Sequence, residues 1–209
     1  MLRQGLRLFF RLLYNEFAWT YDWVAWAVSF GHWKAWGRTA LSYLTSERVL
    51  EIAHGPGHLL VALQEGGWKP VGVDLSRSMS RIARRRLRKE GLDTCLARAR
   101  AQELPFPDDH FESVVSTFPA EFILDRRTLQ EVVRVLAPGG RMVIVASVRI
   151  GGQGIVGQFL RWLYRFTGQS EPVPDVGERA LADIGLEAEA VWEDVGHDSV
   201  MLVVAEAIH

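Results

Sequence analysis

The stretch Val49-Leu50-Glu51-Ile52-Ala53-His54-Gly55-Pro56-Gly57 joins an apolar run to a glycine turn through a carboxylate. After an interval of helical length, a second apolar run, Val71-Gly72-Val73-Asp74, also ends in a carboxylate. Two neighbouring parallel strands that end in this way form a nucleoside site at the carboxyl edge of a sheet. Gly55 and Gly57 allow a sharp turn and a close approach of backbone to ligand, where a Cβ would collide. Asp74 can then accept from both ribose hydroxyls. The pattern points to an adenosine-containing cofactor.

A dinucleotide fingerprint calls for a third glycine three residues after the second, and that position holds Leu60. The string instead reads Glu-x-Ala-x-Gly-x-Gly, with the acid ahead of the glycines. A carboxylate at Glu51 suits a cationic sulfonium carrying an amino group and would suit a pyrophosphate poorly. This arrangement resembles the first motif of the class I S-adenosylmethionine-dependent methyltransferases, which usually have glycine where this chain has Ala53. Two later segments are similar to the same family. Residues 104–115, Leu-Pro-Phe-Pro-Asp-Asp-His-Phe-Glu-Ser-Val-Val, resemble its passage from the adenine loop into the fourth strand. Residues 134–145, Arg-Val-Leu-Ala-Pro-Gly-Gly-Arg-Met-Val-Ile-Val, resemble its helix end, glycine turn and fifth strand. The resemblance spans about residues 20–147, and four matches in the right order are far more specific than one glycine motif.

Composition agrees with a single α/β domain. The chain has 209 residues, 48% hydrophobic and 23% charged, with a formal net charge of −1, so nothing global recruits nucleic acid. The one cysteine, Cys95, excludes an internal disulfide framework and reads as a small core residue of a strand. No uninterrupted apolar stretch is long enough to span a bilayer. Arg3, Arg7 and Arg11 interrupt the N-terminal apolar residues, so a signal peptide's apolar centre is missing. These features lead to an expectation of a cytoplasmic protein. Residues 2–14, with arginines opposed to Leu2, Leu6, Phe9, Phe10 and Leu13, are a candidate peripheral membrane contact.

Periodicity predicts helices near 2–14, 16–29 and 32–45, and then an alternation: strand 48–52, helix 57–65, strand 70–74, helix 77–89, strand 94–98, strand 112–117, helix 126–136 and strand 140–147. Such alternation implies a parallel sheet covered on both faces. Residues 187–194 and 199–206 read as a closing hairpin, which the resemblance places antiparallel at one edge. The expected fold is a doubly wound, mostly parallel seven-stranded sheet with an N-terminal helical cap. Its parts are a cap at 1–45, a cofactor-binding core at 46–147, a substrate cap with two helices near 148–185, and the hairpin at 186–209.

The resemblance also assigns residues. Glu51 faces the amino or methionine end of S-adenosylmethionine, and the backbone of Ala53, His54, Gly55 and Gly57 cradles it. Asp74 holds the ribose, Leu75 and Met79 flank adenine, and Tyr21 and Thr117 complete the cofactor set. Family members commonly carry Asp-Ala four residues before Leu-Pro-Phe, the Asp contacting the adenine amino group. Here those residues are Arg100 and Ala101. Arginine offers no acceptor, so the backbone of Ala101 and Gln102 is left for that contact. Tyr21-Asp22, Ser29-Phe30-Gly31-His32 and Trp36 resemble the spacing in ubiquinone/menaquinone C-methyltransferases. Trp19, Trp23, Trp26, Trp33 and Trp36 fall in that segment, where an aromatic wall can hold a flat acceptor and attract a sulfonium. Two or three of them are expected to line a pocket and the others to bury the cap.

Methyl transfer from a sulfonium is an in-line displacement that requires no dedicated catalytic group. A base is needed only where the acceptor sheds a proton. His32, His54, Glu121 and Tyr21 are candidates, with Glu121 first because it follows the fourth strand, and His32 second. The run Arg77, Arg81, Arg84, Arg85, Arg86, Arg88, Lys89 reads as a solvated helix face, since it lacks the interleaved aromatics of a nucleic-acid surface. No metal site is expected. The reading is thus a methyltransferase for a small, apolar or aromatic acceptor such as a quinone precursor, phenol or lipid-like molecule. A non-catalytic S-adenosylmethionine-binding protein is the alternative suggested by Ala53 and Arg100. A nicotinamide-dependent oxidoreductase ranks below both.

Overall fold

Apolar residues alternate along the central strands in a way that requires cover on both faces, and the computed structural model, which describes residues 32–151 and 181–207, has that architecture. Strands β1 (Arg48–Ile52), β2 (Lys69–Val73), β3 (Cys95–Ala97), β4 (Phe111–Thr117), β5 (Leu136–Arg149), β6 (Leu186–Val195) and β7 (Asp198–Ala207) form one sheet in the order β3-β2-β1-β4-β5-β7-β6. β1 to β5 are parallel, β7 runs antiparallel to β5, and β6 runs antiparallel to β7. The helices are α1 (Trp33–Arg38), α2 (His58–Glu65), α3 (Arg77–Lys89) and α4 (Arg126–Val135), with 3₁₀ turns at Thr39–Tyr43 and Glu121–Leu124.

Successive residues of each central strand feed two separate cores. Leu50, Ile52, Val114, Met142 and Ile144 pack with Leu129 and Val132 of α4 on one face. Val49, Val115, Val143 and Val145 pack with Trp36 of α1 and Leu59 and Leu63 of α2 on the other. Glu51 shares the register of Val49 and is therefore turned toward the face that α1 and α2 cover. Ser76 caps α3 through Met79 N, and Asp125 caps α4 through Arg127 N and Thr128 N, which fixes where each helix begins.

The expected elements from β1 to β5 and the closing hairpin are present, with shifts at the ends. The predicted helix over 32–45 divides into α1 and a 3₁₀ turn. β5 starts at Leu136, without a connecting loop, because the chain leaves α4 directly into the sheet. Cys95 is a clear difference: it is exposed, since β3 is a three-residue edge strand with little to cover it. At the opposite edge, β6 carries Glu187, Glu189, Glu193 and Asp194, and its exposed Trp192 lies under the Arg149 guanidinium, 4.3 Å from the ring centroid.

The expected helices at 2–14 and 16–29, the candidate membrane contact, Tyr21, Trp19, Trp23, Trp26 and most of the expected substrate cap lie outside the described residues. Among the described residues, no helix is long and apolar enough to cross a membrane, and no group of His, Cys, Asp and Glu could hold a metal ion.

Candidate cofactor and acceptor site

The order of the strands reverses between β1 and β4, and their carboxyl ends therefore open a crevice at the switch point. Four short connections build its floor. Ala53 N and His54 N both donate to Val73 O, at 2.8 and 3.3 Å, tying the first turn to the tip of β2. Asp74 N donates to Ala97 O at 3.3 Å, and Phe118 N to Val145 O at 2.8 Å. The tips of β1, β2 and β3 are thus laced together on one side of the switch point, and those of β4 and β5 on the other, before any side chain is considered.

Asp74 faces the glycine turn. Its Oδ2 accepts from Gly55 N at 2.9 Å and its Oδ1 from Ser76 N at 2.7 Å. Each carboxylate oxygen keeps a second lone pair, so the same group can brace the turn and accept from two ligand hydroxyls. Gly57 has φ +77°, and a Cβ there would lie 2.8 Å from Ala83 Cβ, so glycine is required both for the turn and for the contact of α2 with α3.

Glu51 is 1% exposed, and its Oε2 has no hydrogen-bond partner. Burial, reinforced by the neighbouring charge of Asp74, holds its carboxyl well above the ordinary carboxylate range; a backbone contact at Leu60 works in the opposite direction. An orphaned buried carboxyl oxygen beside a second acid suits a ligand that brings positive charge or N–H donors. Cofactor fit at this end of the crevice rests on that oxygen.

Ala53, the residue in place of the usual glycine, has φ +58°. The left-handed conformation costs a non-glycine residue about 1 kcal/mol or more. Ala53→Gly is therefore expected to raise unfolding stability by up to about 1 kcal/mol, net of glycine's greater chain entropy, in a denaturant titration. Cofactor affinity should be unchanged or higher, because a methyl group beside the crevice is removed.

Several expected residues stand elsewhere. Met79 is fully buried beneath α3 and presents no surface to a base, whereas Leu75 is 55% exposed at the tip of β2. His54 is also buried: its Nδ1 lies 2.8 Å from Gly55 O, and a Cβ on Gly72 would come 2.9 Å from its Cδ2. Burial lowers its pKa, and the ring packs inside the turn rather than opening toward an acceptor. Arg100 is exposed, in an isolated bridge with Glu103, while Ala101 is buried and Gln102 half-buried. Thr117 ends β4 next to Gly37 of α1. Glu121 opens the 3₁₀ turn after β4, and its side chain lies outside what is described.

Two of the expected tryptophans are described. Trp36 is 1% exposed and belongs to the core; Trp33 is half-buried and lies 4.3 Å, centroid to centroid, from Phe118. Phe118 follows β4 with φ +48°, an uncommon conformation for a bulky residue. His32 is exposed and pairs with Asp198, Nδ1 to Oδ2 at 3.0 Å.

Two participants were not legible in advance. Asp198 lies 166 residues from His32, and no local pattern links them. Arg86, grouped by sequence with a solvated face, instead donates from Nη1 to Pro56 O in the glycine turn. The other arginines of α3 do face outward. Arg77, Arg81, Arg84, Arg85 and Arg88, with Arg98, line an open groove of about 410 Å³ beside β3, while Met79, Ala83 and Leu87 form the buried side of the helix.

Comparison with known proteins agrees with this geometry. Residues 49–140 match the family described as a methyltransferase domain. The demethylmenaquinone methyltransferase of Thermus thermophilus is 37% identical over 139 residues, which is 64% of this chain and 63% of that protein. The ubiquinone/menaquinone biosynthesis C-methyltransferase UbiE of Proteus mirabilis is 32% identical over 143 residues, 64% of this chain and 57% of that one. The chain thus spans less than two thirds of the length of these relatives. Among solved structures, geranyl diphosphate C-methyltransferase from Streptomyces coelicolor superposes with a TM-score of 0.64 at 16% identity, over 83% of this chain and 79% of that one. The segment that matches the methyltransferase-domain family contains both acidic strand tips and the glycine turn between them, and the seven-stranded sheet around it is the fold that the chain shares with solved methyltransferases to which it is similar.

Proposed function

We propose that this protein binds S-adenosylmethionine at the carboxyl ends of β1 and β2 and transfers its methyl group to a small, apolar or aromatic acceptor. The buried, unpartnered Oε2 of Glu51 beside Asp74 supports this reading most strongly. When bound, the cofactor supplies an electrophilic methyl group on a sulfonium; the protein supplies position, charge and dryness.

Glu51 meets the amino or methionine end, and the backbone of Ala53, His54, Gly55 and Gly57 cradles the cofactor. Asp74 accepts from the ribose hydroxyls while it continues to hold Gly55 N and Ser76 N. Leu75 covers one face of adenine, and the backbone of Ala101 and Gln102 takes the amino group that Arg100 cannot accept. Tyr21 and Thr117 complete the set. Trp33 and Phe118 supply a wall for a flat acceptor at the adjoining strand tip. A quinone precursor, phenol or lipid-like molecule fits that wall, and the names of the quinone-methylating relatives favour the first of these.

Calorimetry with S-adenosylmethionine, S-adenosylhomocysteine and NAD tests the cofactor, with binding of the first two and none of the third as the expected outcome. Release of S-adenosylhomocysteine in the presence of reduced quinone precursors or phenols tests the transfer. Tight binding of NAD, or of neither class, would remove the proposal; binding with no turnover on any acceptor would favour a non-catalytic protein.

A further inference from the structure

We propose that His32 is the general base of this site and that buried Asp198 is its positioning partner, which restricts the acceptor to molecules that lose a proton as they are methylated. The inference rests on the methyltransferase reading above and adds to it both the base and the chemical class of acceptor.

Asp198 begins β7 and is 5% exposed. Its carboxylate takes three donors: His32 Nδ1 at 3.0 Å and Trp36 Nε1 at 3.2 Å on Oδ2, and Gly151 N at 3.3 Å on Oδ1. Trp36 and Gly151 alone join α1, the end of β5 and the hairpin. Histidine is not needed for that join, and with its own side chain 57% exposed it gains little stability from it. The orientation is what the contact fixes. A carboxylate accepts only, so the neutral ring carries its proton on Nδ1. Nε2 is then a lone-pair acceptor, and it has no partner among the described residues.

The pair stands on the same rim of the sheet as the crevice, beside the carboxyl end of β5. Ser199, the neighbour of Asp198, lies opposite Arg149 at the carboxyl end of β5. The His32 ring is 6.1 Å from that of Trp36, edge-on, and Trp36 is 6.4 Å from Phe118. An acceptor lying on Trp33 and Phe118 would therefore have an oriented histidine at the border of its wall. Other charged or titratable groups carried nearby are Lys34 and Arg38 on α1, Arg149 at the end of β5, and Asp194 and His197 around the hairpin turn. Arg149 lies over Trp192, Arg38 pairs with Glu65, and Asp194 accepts from Ser199 Oγ, leaving Asp198 as the carboxylate joined to His32.

In the step, a proton leaves an acceptor O–H or ring C–H for His32 Nε2. The electron pair left on oxygen or carbon forms the bond to the methyl carbon as the methyl–sulfur bond breaks, giving a neutral thioether. The imidazolium is balanced by Asp198 and returns its proton to water after product leaves. A thioether or tertiary amine acceptor, which has no proton to lose, would have no use for this pair.

The test compares the full chain with H32Q and D198N. Calorimetry with S-adenosylmethionine should give dissociation constants within about threefold across all three proteins, since neither residue belongs to the cofactor cradle. Against a panel of quinols, phenols and enols, H32Q should lose about 10²–10⁴-fold in kcat with KM little changed, and the rise of rate with pH on the acid side should vanish. D198N should lose about 10²-fold, because an amide can also donate and so releases the ring into the wrong tautomer. Nitrogen-15 NMR should show the neutral His32 ring as the Nδ1–H form in the parent protein and mixed forms in D198N. Retention of kcat within threefold in H32Q would overturn the assignment, and so would a parent ring in the Nε2–H form, which the NMR decides even if no panel acceptor is turned over. A parent protein that fails to bind S-adenosylmethionine would instead defeat the underlying cofactor reading.

Discussion

Asp74→Ala is expected to cost about 10²–10³-fold in affinity for S-adenosylmethionine, because two hydrogen bonds from ribose hydroxyls to a charged acceptor contribute about 3–5 kcal/mol together. The same change removes the acceptor for Gly55 N and Ser76 N, at 2.9 and 2.7 Å, and so loosens the turn and the entry to α3. A loss of about 1–3 kcal/mol in unfolding stability should accompany it. Asp74→Asn separates these effects. It keeps one carbonyl oxygen for a backbone donor but offers one acceptor fewer, so it should retain more stability than affinity. Titration calorimetry well below the melting temperature of each variant reads the affinity. A folded Asp74→Ala protein that binds within threefold of the parent would place the ribose elsewhere.

Glu51→Gln carries the second large effect, and its two consequences have opposite sign. Burial keeps the Glu51 carboxyl well above its ordinary range in the folded protein, whereas in the unfolded chain it titrates normally. Above the ordinary carboxylate range the folded state therefore holds a proton that the unfolded chain has released. Stability falls with rising pH until the folded group ionises in turn. Glutamine cannot ionise, so the variant should lose this fall and exceed the parent in stability on the alkaline side. Affinity moves the other way. A cationic ligand draws the proton off Glu51 and pairs with the charge, an interaction worth about 1.5–3 kcal/mol, so Glu51→Gln should weaken S-adenosylmethionine about 10- to 100-fold. Parent affinity should rise with pH, with proton release visible as a buffer-dependent binding enthalpy, and the variant should show neither. Identical pH dependence in both proteins would exclude Glu51 from the cofactor's charged end.

These residues were accessible from sequence because their geometry is local. A strand, a four- or five-residue turn and a helix fix where Glu51, Gly55 and Gly57 stand, and one crossover brings Asp74 alongside. A parallel sheet covered on two faces follows from the same alternation of apolar runs, whereas the order of its strands does not. What sequence could not supply depends on which distant elements meet. Met79 has the spacing of a residue flanking a base, but the N-cap at Ser76 turns α3 so that Met79, Ala83 and Leu87 pack inward. Cys95 reads as core in an apolar strand and is exposed because that strand is last in the sheet. Arg86 is indistinguishable from its neighbours in the arginine run until α3 is laid against Pro56 O. Asp198 becomes a partner of His32 only once β7 is inserted beside β5.

Among the described residues, the insertion of β7 leaves β6 as the sheet's outermost strand, whose backbone rim is of the kind to which another chain can add. Four carboxylates along ten residues guard that rim: a copy approaching in register would set like charges against each other across the new ladder. The opposite rim needs no such guard, because three residues of β3 offer too short a template. The two rims are thus defended against edge-to-edge polymerisation by different means, charge on one side of the sheet and mere brevity on the other.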